Sequence, residues 1–542
     1  MSGATFLRLR FGSEWHSGDA RNRDSAPNGG GVGHVRGERD GEVYGVETSS
    51  VPVLIVGAGP AGLTTAITLA HQGIGSLLVE RRDDVSDHPR ATVISTRSME
   101  LLRSWGLESR IQAGSVDVTP AAWRTATLAS AQGSVLPVGL PDHAQAAAVS
   151  PTAPAWAPQD HLESVLVTHL RTHRDARLRY RTELSALDQD HDGVRATLHD
   201  HASGAVTTVA ARFVVAADGA HSTVRDTLGI PMRGPDRVRE SLLALFTAPL
   251  WDVVGKRRYG LYLTGHAEAE GLFGLPATRQ AKAQGVFIAA GGDRWMYGRD
   301  WEPGRERVAD YPADRLIGLI QLGAGVPALA PRLLRVGGFT FAAQLAERFR
   351  DRRVFLVGDA AHRITPIGGL GMNTAIHDGY DLGWKLAWTL KGWAGPELLD
   401  TYDAERRPVA VANLTRSAQD NGFERTAAQG LATDLRNRLP HTWLPTTNGP
   451  TSTLDLLGPG LTLLTDHSRP DWQVAADAVR TPVPLTSHAL DAATAAAIGL
   501  EPGAALLVRP DAHVAASWTS DQTYPLATLR TGIQHTTGST PG

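Results

Sequence analysis

The chain has 542 residues, 42% of them apolar and 20% charged, with a net charge of −3 and no cysteine. That length exceeds one ordinary hydrophobic core and predicts about two to four domains, while the near-neutral balance gives no overall attraction to nucleic acid or an anionic membrane. Without cysteine there can be no disulfide, thiolate zinc site, iron–sulfur cluster, cysteine nucleophile or sulfur-linked flavin, so any redox chemistry must reside in a bound cofactor.

Residues 1–50 are rich in Gly, Ser, Arg and Asp, and Asn28-Gly29-Gly30-Gly31 cannot build a core, so a disordered tail is expected. The N-terminus lacks the apolar stretch of a signal peptide, and no apolar run reaches the ~18 residues of a membrane span. The cytoplasm is the expected location. Val53-Leu54-Ile55-Val56 reads as a strand buried on both faces, Pro60 to Gln72 as a helix and Ser76 to Glu80 as a second strand. Together they make a βαβ unit of about 30 residues. Helical patterns follow at Ser98–Trp105 and Asp160–His173, then strands over 177–215 that end in Phe213-Val214-Val215-Ala216.

The segment from 231 to 344 mixes short strands with Gly and Pro and predicts a separate sheet-rich domain. Arg353 to Val357 is another buried strand. A long helix from Gly371 to Trp393 places Met372, Ala375, Ile376, Gly379, Leu382 and Leu386 on one face, and a further helix begins near Pro396. Beyond 425, Leu461–Leu464 and Ala505–Val508 are strand candidates of a small α/β domain. The expected division is 51–230 with 345–425, 231–344, and 426–542.

Gly57-Ala58-Gly59-Pro60-Ala61-Gly62 fits GxGxxG. The pattern is weak alone, because about a tenth of the chain is glycine; its place between a strand and a helix gives it weight. Gly57 permits the tight turn, Gly59 lets backbone approach a pyrophosphate, and Gly62 allows close helix–strand packing. The helix N-terminus offers unpaired N–H groups, and Glu80 can accept ribose hydroxyls. Two further constellations follow apolar strands: Asp218-Gly219 with Ser222 and Arg225, and Gly358-Asp359 leading through Pro366-Ile367-Gly368-Gly369-Leu370-Gly371-Met372-Asn373 into the long helix.

These three motifs, in this order, resemble the class A flavoprotein monooxygenases, the group of para-hydroxybenzoate hydroxylase and the aromatic polyketide hydroxylases. The similarity runs over about residues 51–420. The C-terminal part resembles the thioredoxin-like third domain of the phenol and polyketide hydroxylases, through Arg509-Pro510-Asp511, Val514 and Trp518. The resemblance implies a Rossmann-like FAD-binding domain with an inserted sheet-rich substrate domain. Residue by residue it implies Gly57, Gly59, Ala61 and Gly62 around the dinucleotide. It puts Glu80 at the adenosine ribose, Arg81 beside the adenine and Arg90 at the pyrophosphate. Gln159 falls on the flavin and ribityl side. Asp218 takes the Asp-Gly role, Asp359 a ribityl hydroxyl, and Pro366 the flavin face. The amides near Gly371, Met372 and Asn373 would meet the flavin pyrimidine ring.

Non-covalent FAD, NAD(P)H as a transient co-substrate, O2 and a small aromatic substrate are the implied partners, with reaction through a C4a-hydroperoxyflavin. No metal site is expected, and no catalytic base can be named. Ser222 and Arg225 read as structural, His362 as non-catalytic, and Arg97 as either a pyrophosphate ligand or a helix anchor. Trp295, Met296, Tyr297, Tyr259 and Tyr262 are candidates for the substrate wall, at least half of them expected in the core. A polyketide-derived substrate is the leading expectation. Rifamycin-type or simple phenol hydroxylation, Baeyer–Villiger oxygenation, a flavin-binding protein without turnover and an NAD-dependent dehydrogenase stay open.

Overall fold

The computed structural model describes residues 48–265, 285–301, 306–419, 422, 424–444 and 449–538. The tail expected over 1–50 lies outside them, except that Thr48–Ser50 already belong to the first strand, Thr48–Val56. That strand is central in an eight-stranded sheet, paired in parallel with Ser76–Val79 on one side and Val206–Ala216 on the other. Val53, Leu54 and Ile55 have no exposed surface, which is why the run is continuously apolar rather than alternating. Val354–Leu356 and Ala176–Arg179 extend the parallel part, and the hairpin Thr182–Gln189 and Val194–Asp200 adds the antiparallel part.

The helix Pro60–His71 starts with proline at its first position, where a missing N–H costs nothing. It packs against the long helix Leu370–Leu390, and two small residues set the spacing. A Cβ on Gly379 would lie 2.4 Å from the Ala61 carbonyl oxygen, and one on Gly383 would lie 2.7 Å from the Thr68 Cβ. The long helix ends three residues before the expected Trp393. The helix expected near Pro396 begins as a 3-10 turn, Pro396–Leu399, and continues as Asp400–Ser417.

The second sheet has seven strands, in the order Arg332–Phe341, Arg239–Thr247, Arg294–Asp300, Gly285–Ala289, Tyr259–Thr264, Thr119–Thr125, Gly133–Pro137. The last two come from a segment that the sequence assigned to the first domain. Thr119–Thr125 reaches the sheet by pairing in parallel with Tyr259–Thr264, satisfying an edge that would otherwise be bare. The boundary at 231 is therefore not where the sheet begins in sequence. Phe246, Phe287, Trp295 and Tyr297 form its buried core, against Leu316 and Ile320 of the helix Ala313–Ala324.

A third sheet, in the order Leu485–Leu490, Leu461–Asp466, Ala505–Val508, Val514–Trp518, has one parallel and two antiparallel pairings, the thioredoxin-like arrangement expected. Its core is continuous with the first domain. Trp384 and Trp388 of the long helix are fully buried among Leu461, Leu463, Trp472 and Leu529. The Arg509-Pro510-Asp511 segment adds a polar lock. Arg509 donates to both oxygens of Glu405 at 2.8 Å and to both of Asp511, while Tyr380 donates to the Pro510 carbonyl at 3.1 Å. Among the described residues no helix is long and apolar enough to cross a membrane.

Candidate active site

The strand ends of the first sheet open into a cavity of about 470 Å³, walled on its far side by the second sheet. Of the residues singled out by sequence, Gly57, Gly59, Ala61, Glu80, Arg81, Arg90, Gln159, Asp218, Asp359, Pro366, Gly371 and Met372 all line it. Gly57 has φ +102°, and a Cβ there would strike the Ala217 carbonyl oxygen at 2.2 Å. A Cβ on Gly59 would meet no atom within 4 Å, so its backbone borders open space. Gly62 does not line the cavity; its missing side chain leaves room for the Gly57 carbonyl, 2.0 Å from where a Cβ would stand. This is the helix–strand packing role inferred from its place in the motif.

Glu80 is fixed from two sides. One carboxylate oxygen accepts the Ala58 N–H at 2.9 Å, and the other accepts the Arg82 backbone N–H and Nε at 3.0 Å. Burial works to raise its pKa, but the Arg82 and Ala58 hydrogen bonds hold it below the ordinary value. Glu80 is thus a carboxylate at the cavity wall, and the longest of its four contacts, Arg82 Nη2 at 3.4 Å, is the one a ribose hydroxyl would displace. Arg82, which the sequence reading passed over, orients it.

Two acidic groups at the cavity are only part satisfied. Asp218 accepts the Val224 N–H at 3.1 Å through one oxygen, while its other oxygen is buried without a partner. Glu163 accepts from Gln159 at 2.7 Å, and its second oxygen is likewise orphaned. Burial pushes both carboxyls up. Asp359 is accessible through the cavity; the surrounding protein raises its pKa against the pull of His362 and Arg90. Unpaired buried acceptors of this kind call for a donor-bearing ligand.

The long helix begins after two successive left-handed glycines, Gly368 at φ +83° and Gly369 at φ +65°. Its first amides have no intrahelical partner, as at any helix start, and no side chain caps them. Asn373 departs from expectation. It is the helix's fourth residue, past the orphan amides, and its side chain turns from the cavity. It accepts the Ser95 N–H at 2.8 Å and donates to the Val93 and Gly369 carbonyls. It ties the helix start to the segment before the helix Thr96–Ser104.

Four side chains near the motifs lie outside the cavity lining, and one of them, Arg97, had two readings open. Arg97 is a helix anchor outside the cavity, bonded to Glu100 at 2.9 Å and to the Asp511 carbonyl at 2.6 Å. Ser222 caps its helix through the Arg225 N–H, and Arg225 donates to the Ala220 and Ala360 carbonyls. His362 is fully buried; its Nε2 lies 2.6 Å from Asp378, whose other oxygen accepts Arg406 Nε at 2.8 Å.

Burial alone would raise the Asp378 pKa, but His362 and Arg406 bring it down to about 2 from an ordinary 3.8. A depressed carboxyl stabilises the fold above its unfolded pKa. Acid titration should therefore leave this contribution intact above about pH 4 and remove on the order of 2 kcal/mol of stability between about pH 4 and pH 2. Comparing denaturant melts of wild type and Asp378→Asn across that range checks it, since the variant should show a flatter acid dependence.

The far wall is apolar: Val138, Leu140, Trp156, Leu261, Ile288, Met296 and Phe339. Of the five aromatic-region candidates only Met296 is among them. Trp295, Tyr297 and Tyr262 are fully buried on the opposite face, and Tyr259 stacks on Trp123. Alternation along Arg294–Asp300 explains this, since Met296 points away from its two neighbours. Leu261 is paired with Ile288, and Ile288 with Met296, so the three form one rung across adjacent strands. Trp156, donating to the Ala289 carbonyl at 3.1 Å, closes one side.

A Rossmann-type sheet with a glycine turn at a strand end, an acid at the next strand and a second uncapped helix aimed at the same cavity defines a dinucleotide site that fits FAD. The chain matches the model of an FAD binding domain over residues 50–417 and that of an aromatic-ring hydroxylase C-terminal domain over residues 435–540. It is 34% identical over 531 residues to the tetracenomycin A2 monooxygenase-dioxygenase of Streptomyces glaucescens, spanning 87% of this chain and 94% of that one. It is also 34% identical over 527 residues to an aklavinone 12-hydroxylase of Streptomyces purpurascens, with 87% and 96% covered. The fold superposes on aklavinone-11 hydroxylase, solved with FAD and aklavinone, with a TM-score of 0.80 at 30% identity, covering 90% of this chain and 99% of that one. The chain belongs to the FAD-dependent aromatic-ring hydroxylases and is a flavoprotein monooxygenase.

Proposed function

We propose that this enzyme hydroxylates a polycyclic aromatic, polyketide-derived substrate, consuming NAD(P)H and O2 in the cytoplasm. The observation that carries the substrate class is the rung Leu261–Ile288–Met296. Adjacent strands lie ~4.8 Å apart, so these side chains make an apolar wall ~10 Å wide, suited to a flat fused-ring system. Relatives named for tetracenomycin and aklavinone chemistry support the same class.

FAD bound in the cavity would accept hydride and activate oxygen. Glu80 would hold the adenosine ribose with Arg81 beside the adenine, and Arg90 would meet the pyrophosphate. Gln159, Asp218 and Asp359 would serve the ribityl and phosphate side. Pro366 would border the flavin face, and the amides of Gly371 and Met372 would favour negative charge on the reduced ring. The apolar wall would exclude bulk water from the reacting atoms. The working division is a flavin part, 51–230 with 345–425, a substrate part over 231–344 that recruits 119–137, and a C-terminal part over 426–542.

The decisive experiment supplies NADPH, labelled O2 and a panel of aromatic polyketides, and reads products by mass spectrometry. One labelled oxygen in a hydroxylated product is expected; NADPH oxidation with no labelled product from any member sinks the reading. Asp359→Ala should lower FAD retention at least about tenfold, the worth of one or two good hydrogen bonds to a charged group. Equal 450 nm absorbance per chain after gel filtration would remove Asp359 from the site.

A further inference from the structure

Away from the cavity, three imidazoles converge on one point. His71 ends the helix Pro60–His71, His169 lies in the last turn of the helix Gln159–Leu170, and His173 follows it by one turn. The Nε2 atoms of His71 and His169 are 3.1 Å apart, and those of His169 and His173 are 3.5 Å apart. All three ligand nitrogens lie within 4.8 Å of one another, with His71 exposed and the other two half-buried. Trp105 stacks on His71 at 5.6 Å and an interplanar angle of 8°, limiting its ring rotation.

We propose that His71, His169 and His173 form a three-histidine site for a divalent, nitrogen-preferring transition cation of the Zn2+ type. A zinc–nitrogen bond of about 2.0–2.1 Å separates tetrahedral ligand atoms by about 3.3–3.4 Å, between the two spacings seen here. Neutral imidazole suits Zn2+, Cu2+ and Ni2+, whereas the oxygen-preferring Mg2+ and Ca2+ have no carboxylate in this trio. Without a cation, nitrogen lone pairs at these distances must be relieved by a shared proton. With one, three ligands are filled and the fourth position faces water. The cysteine-free sequence gave no hint of the site, because its histidines are split between segments about 100 residues apart.

The placement suggests what the ion does. Both helices begin at the FAD cavity, with Pro60 and Gln159 lining it, and both end at the trio. Twelve residues of helix span ~18 Å, so the ion is too remote to enter the chemistry. It would clamp the far ends of two helices whose near ends shape the cofactor site, adding stability by its binding free energy.

The test uses tag-free, FAD-loaded protein titrated with Zn2+ by calorimetry, and with Co2+ by visible absorption. One Zn2+ per chain is expected, with the intense bands of four-coordinate Co2+ and a raised melting temperature. Changing only the groups that hydrogen-bond to a metal's ligands costs ~10–100-fold in metal affinity, so His169→Ala and His173→Ala should each cost more, while FAD content and circular dichroism stay as in wild type. His191→Ala, in the exposed Asp190-His191-Asp192 cluster, should change nothing. Absence of saturable binding overturns the proposal. So does binding that survives both His169→Ala and His173→Ala, or that disappears in His191→Ala.

Discussion

Gly379→Val is expected to yield a protein that melts several degrees below wild type and retains little FAD. The added Cβ would lie 2.4 Å from the Ala61 carbonyl oxygen and 3.1 Å from the Thr65 amide nitrogen. Both are backbone atoms of the facing helix, so no rotamer change relieves the clash. Overpacking of this kind costs ~1–3 kcal/mol or more. The only relief is to move the helix Pro60–His71, and its first turn carries the glycine loop of the cofactor site. Stability and flavin content should therefore fall together. Gly318→Ala is the matched control: it lies inside the helix Ala313–Ala324, and a Cβ there would meet nothing within 4 Å. Helix propensity predicts a gain of up to ~1 kcal/mol with unchanged FAD. A Gly379→Val protein with wild-type melting and flavin content would mean that the two helices can separate without cost.

Ile288→Trp should leave the flavin spectrum intact and raise the KM for the aromatic substrate at least about tenfold, with more NADPH consumed per product. Ile288 is the middle of the rung, paired with Leu261 and Met296, so an indole there occupies the volume assigned to the ring system. A single methylene in such a pocket already changes discrimination ~10–200-fold. Trp295→Phe, one residue from Met296 but on the buried face, should change melting and leave KM alone. If Trp295→Phe shifts KM and Ile288→Trp does not, the wall has been assigned to the wrong face of the sheet.

That face was the part of the site least legible in the sequence. The glycine turn, Glu80, Asp218 and Asp359 could be read because each is a local feature: a strand end, a turn, an acid at a set offset. Trp295-Met296-Tyr297 gave no phase, because a strand covered on both sides shows no alternation to read. Gly62 makes room for backbone, as its motif position implies, whereas Asn373, which the motif places among the cofactor amides, bonds the Val93–Ser98 segment. Arg97 has two readings in the sequence because Glu100 is its one local partner, while the Asp511 carbonyl that fixes it as an anchor lies 414 residues away. The parallel pairing of Thr119–Thr125 with Tyr259–Thr264 is equally non-local. Trp156 and Phe339 were missed because each reaches the cavity only through tertiary placement.

The rung also bears on how new specificities could be obtained from this scaffold. Leu261, Ile288 and Met296 are paired neighbours held on separate strands, and each is flanked by positions facing the other side of the sheet. A combinatorial library confined to these three codons would sample the shape of the substrate wall directly. The glycine turn, the long helix and the C-terminal lock would all be left as they are.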